Sequence, residues 1–239
     1  MNVASTISTR VARRSEPSRR PPRILITGGG TGGHVYPAIA IADAIRNRNP
    51  RAVIAFAGSR DRIEWRAVPE AGYPIHEVPA RGLDRRLSPS SLLRNLTVPF
   101  VLLRGLRAAK QLLDGFDPDV VIGTGGFVAL PVLLAARKTR RVVIQEQNAY
   151  VGLTNRIASR FADAMYVAFD EAAAEFDSER VVSVGNPVRQ DLVGADPAES
   201  RAHFGIPDRD PVLLVLGGSG GSRPLNEAVG RFIPDLLKA

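Results

Sequence analysis

Residues 28–34 read Gly-Gly-Gly-Thr-Gly-Gly-His, which puts five glycines, a hydroxyl and an imidazole within seven positions. The run follows the apolar segment Arg23–Thr27 and precedes a stretch of helical pattern, so it reads as a strand-to-helix turn. Glycines there let the backbone approach a ligand closely, and the N–H groups opening the helix, with its dipole, attract phosphate. For such a loop alone, a tight turn without a ligand is the plainer reading. Two familiar phosphate loops do not fit. A P-loop needs Lys and then Ser or Thr after the glycines, and His34-Val35 stand there instead. The dinucleotide pattern wants an acid closing the second strand, where Gly58-Ser59-Arg60 offers none before Asp61. His34 is the most reactive group of the run, because imidazole as a class titrates near neutrality and suits a general base. A histidine that only packs or bonds to backbone is the bland alternative. A second glycine run, Gly217-Gly218-Ser219-Gly220-Gly221, repeats the device downstream. Two such loops suggest a cleft for a nucleotide diphosphate, its charge met by amides and dipoles instead of a metal. Cysteine is absent, and His34, His76 and His203 have no ligand spacing, so no zinc centre is expected.

The elements that must position these loops follow from the apolar pattern. Short apolar runs at 23–27, 52–57, 75–78, 120–122, 141–144, 164–167 and 180–184 read as strands. Helical stretches at 37–48, 92–113, 127–137 and 151–161 alternate with them, the second broken or kinked at Pro99. That alternation implies a parallel sheet with helices on both faces, an α/β Rossmann-like doubly wound domain whose ligands sit at the carboxyl ends of its strands. Gly185-Asn186-Pro187-Val188-Arg189 then interrupts the pattern. A polar, loosely helical passage follows, then an apparent buried strand at 211–216, its glycine turn and a helix at 224–239. The expected organisation is a basic tail (1–22), a first Rossmann-like domain (23–184), a linker (185–210) and the incomplete start of a second Rossmann-like domain (211–239). One strand and one helix cannot bury a core, so the chain reads as cut short.

The formal net charge is +8, of which residues 1–23 hold +5, from six arginines and Glu16. That Ser- and Pro-rich segment lacks periodicity and reads as a disordered tail, although its composition also fits an organelle transit peptide. No apolar h-region follows it, so a secretory signal is not expected. Between Arg81 and Lys110, seven basic residues (Arg81, Arg85, Arg86, Arg94, Arg104, Arg107 and Lys110) flank an apolar run broken by Arg94, Pro99 and Arg104. The run is too interrupted to span a membrane. It fits either a surface lying on anionic lipid or a core helix with a solvated basic face.

In their order, these motifs resemble the peptidoglycan N-acetylglucosaminyltransferases of glycosyltransferase family 28. The matching stretches are Gly28–Pro37, Asp117–Gly126, Glu146-Gln147-Asn148-Ala149 with Gly152-Leu153-Thr154-Asn155, Gly185–Arg189, and Gly217-Gly218-Ser219 with Asn226 downstream. The resemblance implies the GT-B fold, built from two Rossmann-like domains. It also implies inverting, cofactor- and metal-independent transfer from UDP-N-acetylglucosamine to a polyprenyl-pyrophosphate-linked acceptor (lipid I). By the same resemblance, Thr31, Gly32, Gly33, Asn148, Arg189 and Ser219 fall at donor-contact positions, and His34 at that of the base. Glu146, Asn155 and Asn226 match positions with either acceptor-binding or scaffold roles. The implied setting is peripheral, on the cytoplasmic face of the bacterial plasma membrane, with an anionic membrane surface as partner and no nucleic acid.

Three positions depart from the family pattern: Gln145 where His is common, Phe127 where Tyr is common, and Gly220 where Gln is usual. Because most of the donor-binding half is absent, the chain alone is not expected to catalyse. Two other functions share these features: a non-catalytic acceptor-binding subunit of a two-chain N-acetylglucosaminyltransferase, and a UDP-sugar-dependent glycolipid synthase.

Overall fold

In the computed structural model, the described residues are 20–82, 84, 88–176, 179–218 and 221–236. The structural expectation for residues 1–19 lies outside them. The chain divides after Gln190 into two units.

The first unit holds seven parallel strands among its described residues: β1 Arg23–Thr27, β2 Val53–Gly58, β3 Ile75–Glu77, β4 Val120–Gly123, β5 Arg141–Glu146, β6 Ala164–Val167 and β7 Val181–Ser183. Their spatial order is β3-β2-β1-β4-β5-β6-β7, so the direction of strand addition reverses between β1 and β4. Strands buried on both faces read as continuous apolar runs, and β1 shows why. Successive side chains point to opposite faces: Ile24 and Ile26 join one core cluster and Leu25 the other. Helix α1 (Gly32–Arg48) supplies Val35, Ala38, Ile39 and Ala42 to the Ile24/Ile26 cluster, and α2 (Glu64–Glu70) adds Ala67 and Val68. On the opposite face, α3 (Pro89–Leu96) is followed by α4 (Val98–Phe116) and later by α5 (Ala129–Ala136). Ala109 and Leu113 of α4 pack there with Val132 and Leu133 of α5. Two short helices, α6 (Leu153–Ala158) and α7 (Asp170–Ala174), add Ala158 and Ala172.

Several boundaries differ from the sequence reading for clear reasons. Helix α1 begins at Gly32, five residues before Pro37, which sits inside it. Pro37 has no N–H to give the Gly33 carbonyl, but Gly33 is exposed in the first turn, so water can serve that oxygen. The helical stretch read as broken or kinked at Pro99 is broken, into two helices that meet at Thr97. Ser88 caps α3 by accepting from the Ser91 N–H, and Pro99 falls in the first turn of α4, where its missing N–H costs nothing. Helix α2 was not anticipated; only seven residues long, it carries too little periodicity to read. Beneath it, Tyr73 is buried and its hydroxyl donates to Asp43 of α1 at 2.6 Å. Burial first, and the Asp43 carboxylate second, push the Tyr73 phenol well above its ordinary range.

The second unit contains α9 (Pro197–Phe204) and α10 (Arg223–Leu236); a one-turn helix, α8 (Gln190–Val193), lies at the division. Asp196 caps α9 by accepting from the Ala198 and Glu199 N–H groups, and Gly205 closes it in the left-handed region. The strand expected at 211–216 is not formed. Val212, Leu213, Leu214, Val215 and Leu216 are exposed, because no described strand in this unit offers a hydrogen-bonding ladder. After Phe176, no described hydrophobic residue is buried. The sheet and both core clusters therefore belong to the first unit.

Candidate functional site

Neighbouring strands β1 and β4 send their connections to opposite sides at the point where strand order reverses, which opens a crevice at their carboxyl ends. Both loops leaving these ends are glycine-rich, and they touch. A Cβ on Gly28 would lie 1.8 Å from the Thr124 hydroxyl oxygen. One on Gly126, whose φ is +78°, would lie 2.1 Å from the Gly29 carbonyl oxygen. Only glycine allows this approach, so the two loops form a single backbone-lined floor. Thr124 locks it: its N–H donates to the Thr27 carbonyl (3.0 Å) and its hydroxyl to the His34 carbonyl (2.7 Å).

His34 stands at the third position of α1, half-buried, with its ring against Gly125 and Gly126. Its Nδ1 lies 3.0 Å from the Thr124 carbonyl oxygen. A carbonyl can only accept, so this hydrogen bond requires a proton on Nδ1 and leaves the Nε2 lone pair available. That is the tautomer a general base needs at Nε2. The Gln147 side-chain amide also reaches Nδ1, at 2.5 Å.

Two buried carboxylates organise the surroundings. Glu64, at 1% exposure, accepts from the Gly30 N–H (3.0 Å) through one oxygen and from the Ser59 N–H (3.2 Å) through the other. It thereby ties the glycine loop to the end of β2. Glu146, equally buried at the end of β5, accepts four donors: the Asn148 N–H and amide, the Gly152 N–H and the Asn155 amide, all within 3.1 Å. Both its oxygens are occupied by the protein. Asn155, also buried, gives the same amide to the Gln145 carbonyl. The side-chain N and O of Gln145 itself are buried without a hydrogen-bond partner. Phe127, at a second family departure, presses its ring on Gly30 and Gly82, with Arg62 above it.

The sequence-predicted residues do not all come together. Thr31, Gly32, Gly33 and His34 come together with the β4 loop, Thr31 and Gly33 being exposed and Gly32 buried. Asn148 is exposed at the neighbouring β5 loop. Arg189 comes back from beyond β7 to place its guanidinium 5.1 Å from the ring centre of Tyr36, on the second turn of α1. Asn226 lies exposed in the first turn of α10, in the second unit. Ser219 and Gly220 lie outside the described residues. Sequence reasoning assigned no role to Glu64, Thr124 or Gln147. Thr124 and Gln147 sat inside quoted motifs, whereas Glu64 carried only the faint signal of an acid six residues beyond the end of β2. Among the described residues, no three His, Cys, Asp or Glu side chains cluster as a metal site.

A doubly wound parallel sheet with two glycine loops meeting at its switch point defines a Rossmann-like α/β domain. More narrowly, the chain belongs to glycosyltransferase family 28, whose N-terminal domain matches residues 24–167. It is 52% identical over 221 residues to the UDP-N-acetylglucosamine–N-acetylmuramyl-(pentapeptide) pyrophosphoryl-undecaprenol N-acetylglucosamine transferase of Salinibacter ruber, covering 92% of this chain and 59% of that one. The protein of the same name from Desulforudis audaxviator is 46% identical over 209 residues, covering 87% and 55%. Among solved structures, Acinetobacter baumannii MurG superposes with a TM-score of 0.57 at 31% identity, covering 71% of this chain and 47% of that one. The chain thus spans little more than half the length of these two curated relatives.

Proposed function

We propose that this chain is the acceptor-side portion of an inverting glycosyltransferase that moves N-acetylglucosamine from UDP-N-acetylglucosamine to a polyprenyl-pyrophosphate-linked sugar acceptor, lipid I. The observation that carries the proposal is His34, held over the two-loop glycine floor with its Nε2 lone pair available. In this reading Nε2 takes the proton of the acceptor hydroxyl as that oxygen attacks the anomeric carbon from the face opposite UDP. The bond from that carbon to the β-phosphate oxygen breaks, and the electron pair leaves with UDP. The exposed loop around Thr31 and Gly33, the N-terminus of α1 and the Arg189 guanidinium suit the growing negative charge. Asn148 and Ser219 complete the proposed donor contacts. Glu146 and Asn155, whose hydrogen bonds are internal, serve as scaffold; Asn226 keeps its two possible roles. The domain boundaries of the sequence reading belong to the same proposal, with residues 211–239 opening the donor-binding domain.

The acceptor's lipid calls for a membrane-facing surface, and α3 with α4 suits it. Leu92, Leu93, Leu96, Phe100 and Leu103 are exposed beside the exposed cations Arg104, Arg107 and Lys110. No helix of the described residues is long and apolar enough to cross a membrane. The proposed attachment is peripheral, through the exposed apolar and basic residues of α3 and α4, on the leaflet that carries the acceptor.

The test joins this chain in frame to the C-terminal part of the Salinibacter ruber relative that it does not cover, and measures sugar transfer from labelled UDP-N-acetylglucosamine to a lipid I analogue. The fusion is expected to transfer. His34→Ala should lower kcat by roughly 100-fold or more, the scale of a lost general base, and leave UDP-sugar affinity within a few-fold. Normal turnover in that variant would rule out the assigned role.

A further inference from the structure

The contact between Gln147 and His34 is unfavourable as the amide stands. Nδ1 already carries the proton that it gives to Thr124, yet the Gln147 group at 2.5 Å from it is the amide nitrogen, also a donor. At the other end of the same amide, Oε1 is buried with no hydrogen-bond partner. Moving the proton to Nε2 would end the donor–donor clash, but it would set the Nδ1 lone pair against the Thr124 carbonyl oxygen and leave Oε1 without a partner, so a different change answers all three contacts. Turning the amide over about its last bond exchanges nitrogen and oxygen, which have nearly the same shape, so that Oε1 receives the Nδ1 proton. The proton then lies between two acceptors, the Thr124 carbonyl and the Gln147 oxygen.

We infer that Gln147 is a positioning residue: its side-chain oxygen, together with the Thr124 carbonyl, fixes the His34 ring in the Nδ1-protonated tautomer and orientation. This rests on the reading of His34 as the base and adds what makes its Nε2 fit for the task. Thr124 directly follows β4 and Gln147 directly follows β5, so the loops leaving two adjacent strands grip the ring. When Nε2 accepts a proton, the charge spreads to Nδ1–H, where both oxygen dipoles already point. The neighbouring side chains fit this division of labour, since the Glu146 carboxylate is fully engaged with other donors and the Gln145 side chain is buried. Neither supplies a charged partner to Nδ1.

The experiment reads the ring directly, so its outcome does not depend on whether His34 takes the acceptor's proton. The whole chain is labelled with 15N-histidine and its long-range 1H–15N spectrum is recorded in alkaline buffer, where imidazoles are neutral. With three histidines in the sequence, the His34 signals are identified by their loss in His34→Ala. The wild-type ring should show a single tautomer with the proton on Nδ1. Gln147→Leu, which removes the acceptor, should bring at least a several-fold rise in the Nε2-protonated form. Gln147→Glu, which keeps an oxygen there, should restore the wild-type pattern. A wild-type ring protonated on Nε2 would overturn the inference, as would a Gln147→Leu spectrum unchanged at His34. A failed transfer assay with a normal tautomer pattern would count against the function and leave this inference standing.

Discussion

At the residue scale, the site is built from backbone held in place by a few buried side chains. In the Gly28–Gly33 loop it is Thr31 and Gly33 that are exposed, and a backbone without side chains has little packing of its own. Its shape is set from outside, by Glu64 beneath and Thr124 beside it. Removing the Glu64 carboxylate should therefore be costly although it touches no substrate. Glu64→Leu strands the buried Ser59 N–H and the half-buried Gly30 N–H and should lower unfolding stability by about 3 kcal/mol, whereas Glu64→Gln, with one acceptor left, should lose about 1–2 kcal/mol. Urea denaturation followed by circular dichroism measures both. Wild-type stability in Glu64→Leu would mean that the loop holds its shape without it.

At the scale of elements, α3 and α4 answer a question the sequence left open. The run 92–113 is neither purely core nor purely surface. Gly105, Ala109 and Leu113 face inward, Gly105 so tightly that a Cβ would lie 2.3 Å from the Pro79 carbonyl. Leu92, Leu93, Leu96, Phe100 and Leu103 face out. Arg94 pairs with Asp84, and Arg81 donates to Thr97, so both have work within the fold. Arg104, Arg107 and Lys110 are the better probes of lipid contact. Near an anionic surface each cation contributes about 1 kcal/mol, so Arg104→Glu/Arg107→Glu should cut pelleting with phosphatidylglycerol vesicles at low salt by at least roughly tenfold. Leu93→Ser/Phe100→Ser should weaken binding to neutral vesicles as well. If all four substitutions leave partitioning unchanged, these helices do not face the membrane.

At the scale of the whole molecule, the two units differ in what they can sustain. The first has a continuous seven-stranded sheet with a core on each face. The second exposes its apolar residues, among them Leu213, Leu216, Phe232 and Leu236. A chain ending at Gln190 should accordingly unfold cooperatively with a melting temperature within about 2 °C of the parent, and should aggregate less. Scanning calorimetry and light scattering test this. A fall beyond about 5 °C would mean that residues 191–239 support the first unit.

The sequence by itself determined the periodic and the local features. Short apolar runs marked all seven described strands to within a residue or two, although the edge strands β3 and β7 hold no buried residue, and their alternation with helical stretches required a parallel, doubly wound sheet. The glycine loop and His34 were legible because glycine and imidazole carry their chemistry in their type. The strand read at 211–216 shows the limit of that reasoning. Its composition is that of a buried strand, but a strand exists only where a neighbour completes its ladder, and composition cannot supply one. Tertiary structure alone decided what depends on distance across the fold. It put β1 beside β4 so that two glycine loops share one floor, and brought Arg189 back over Tyr36 from beyond the last strand. It also set Glu64 under the loop and Gln147 against His34. Each of these contacts joins residues more than thirty positions apart, and hydrogen bonds at such range leave no period in the sequence to be read.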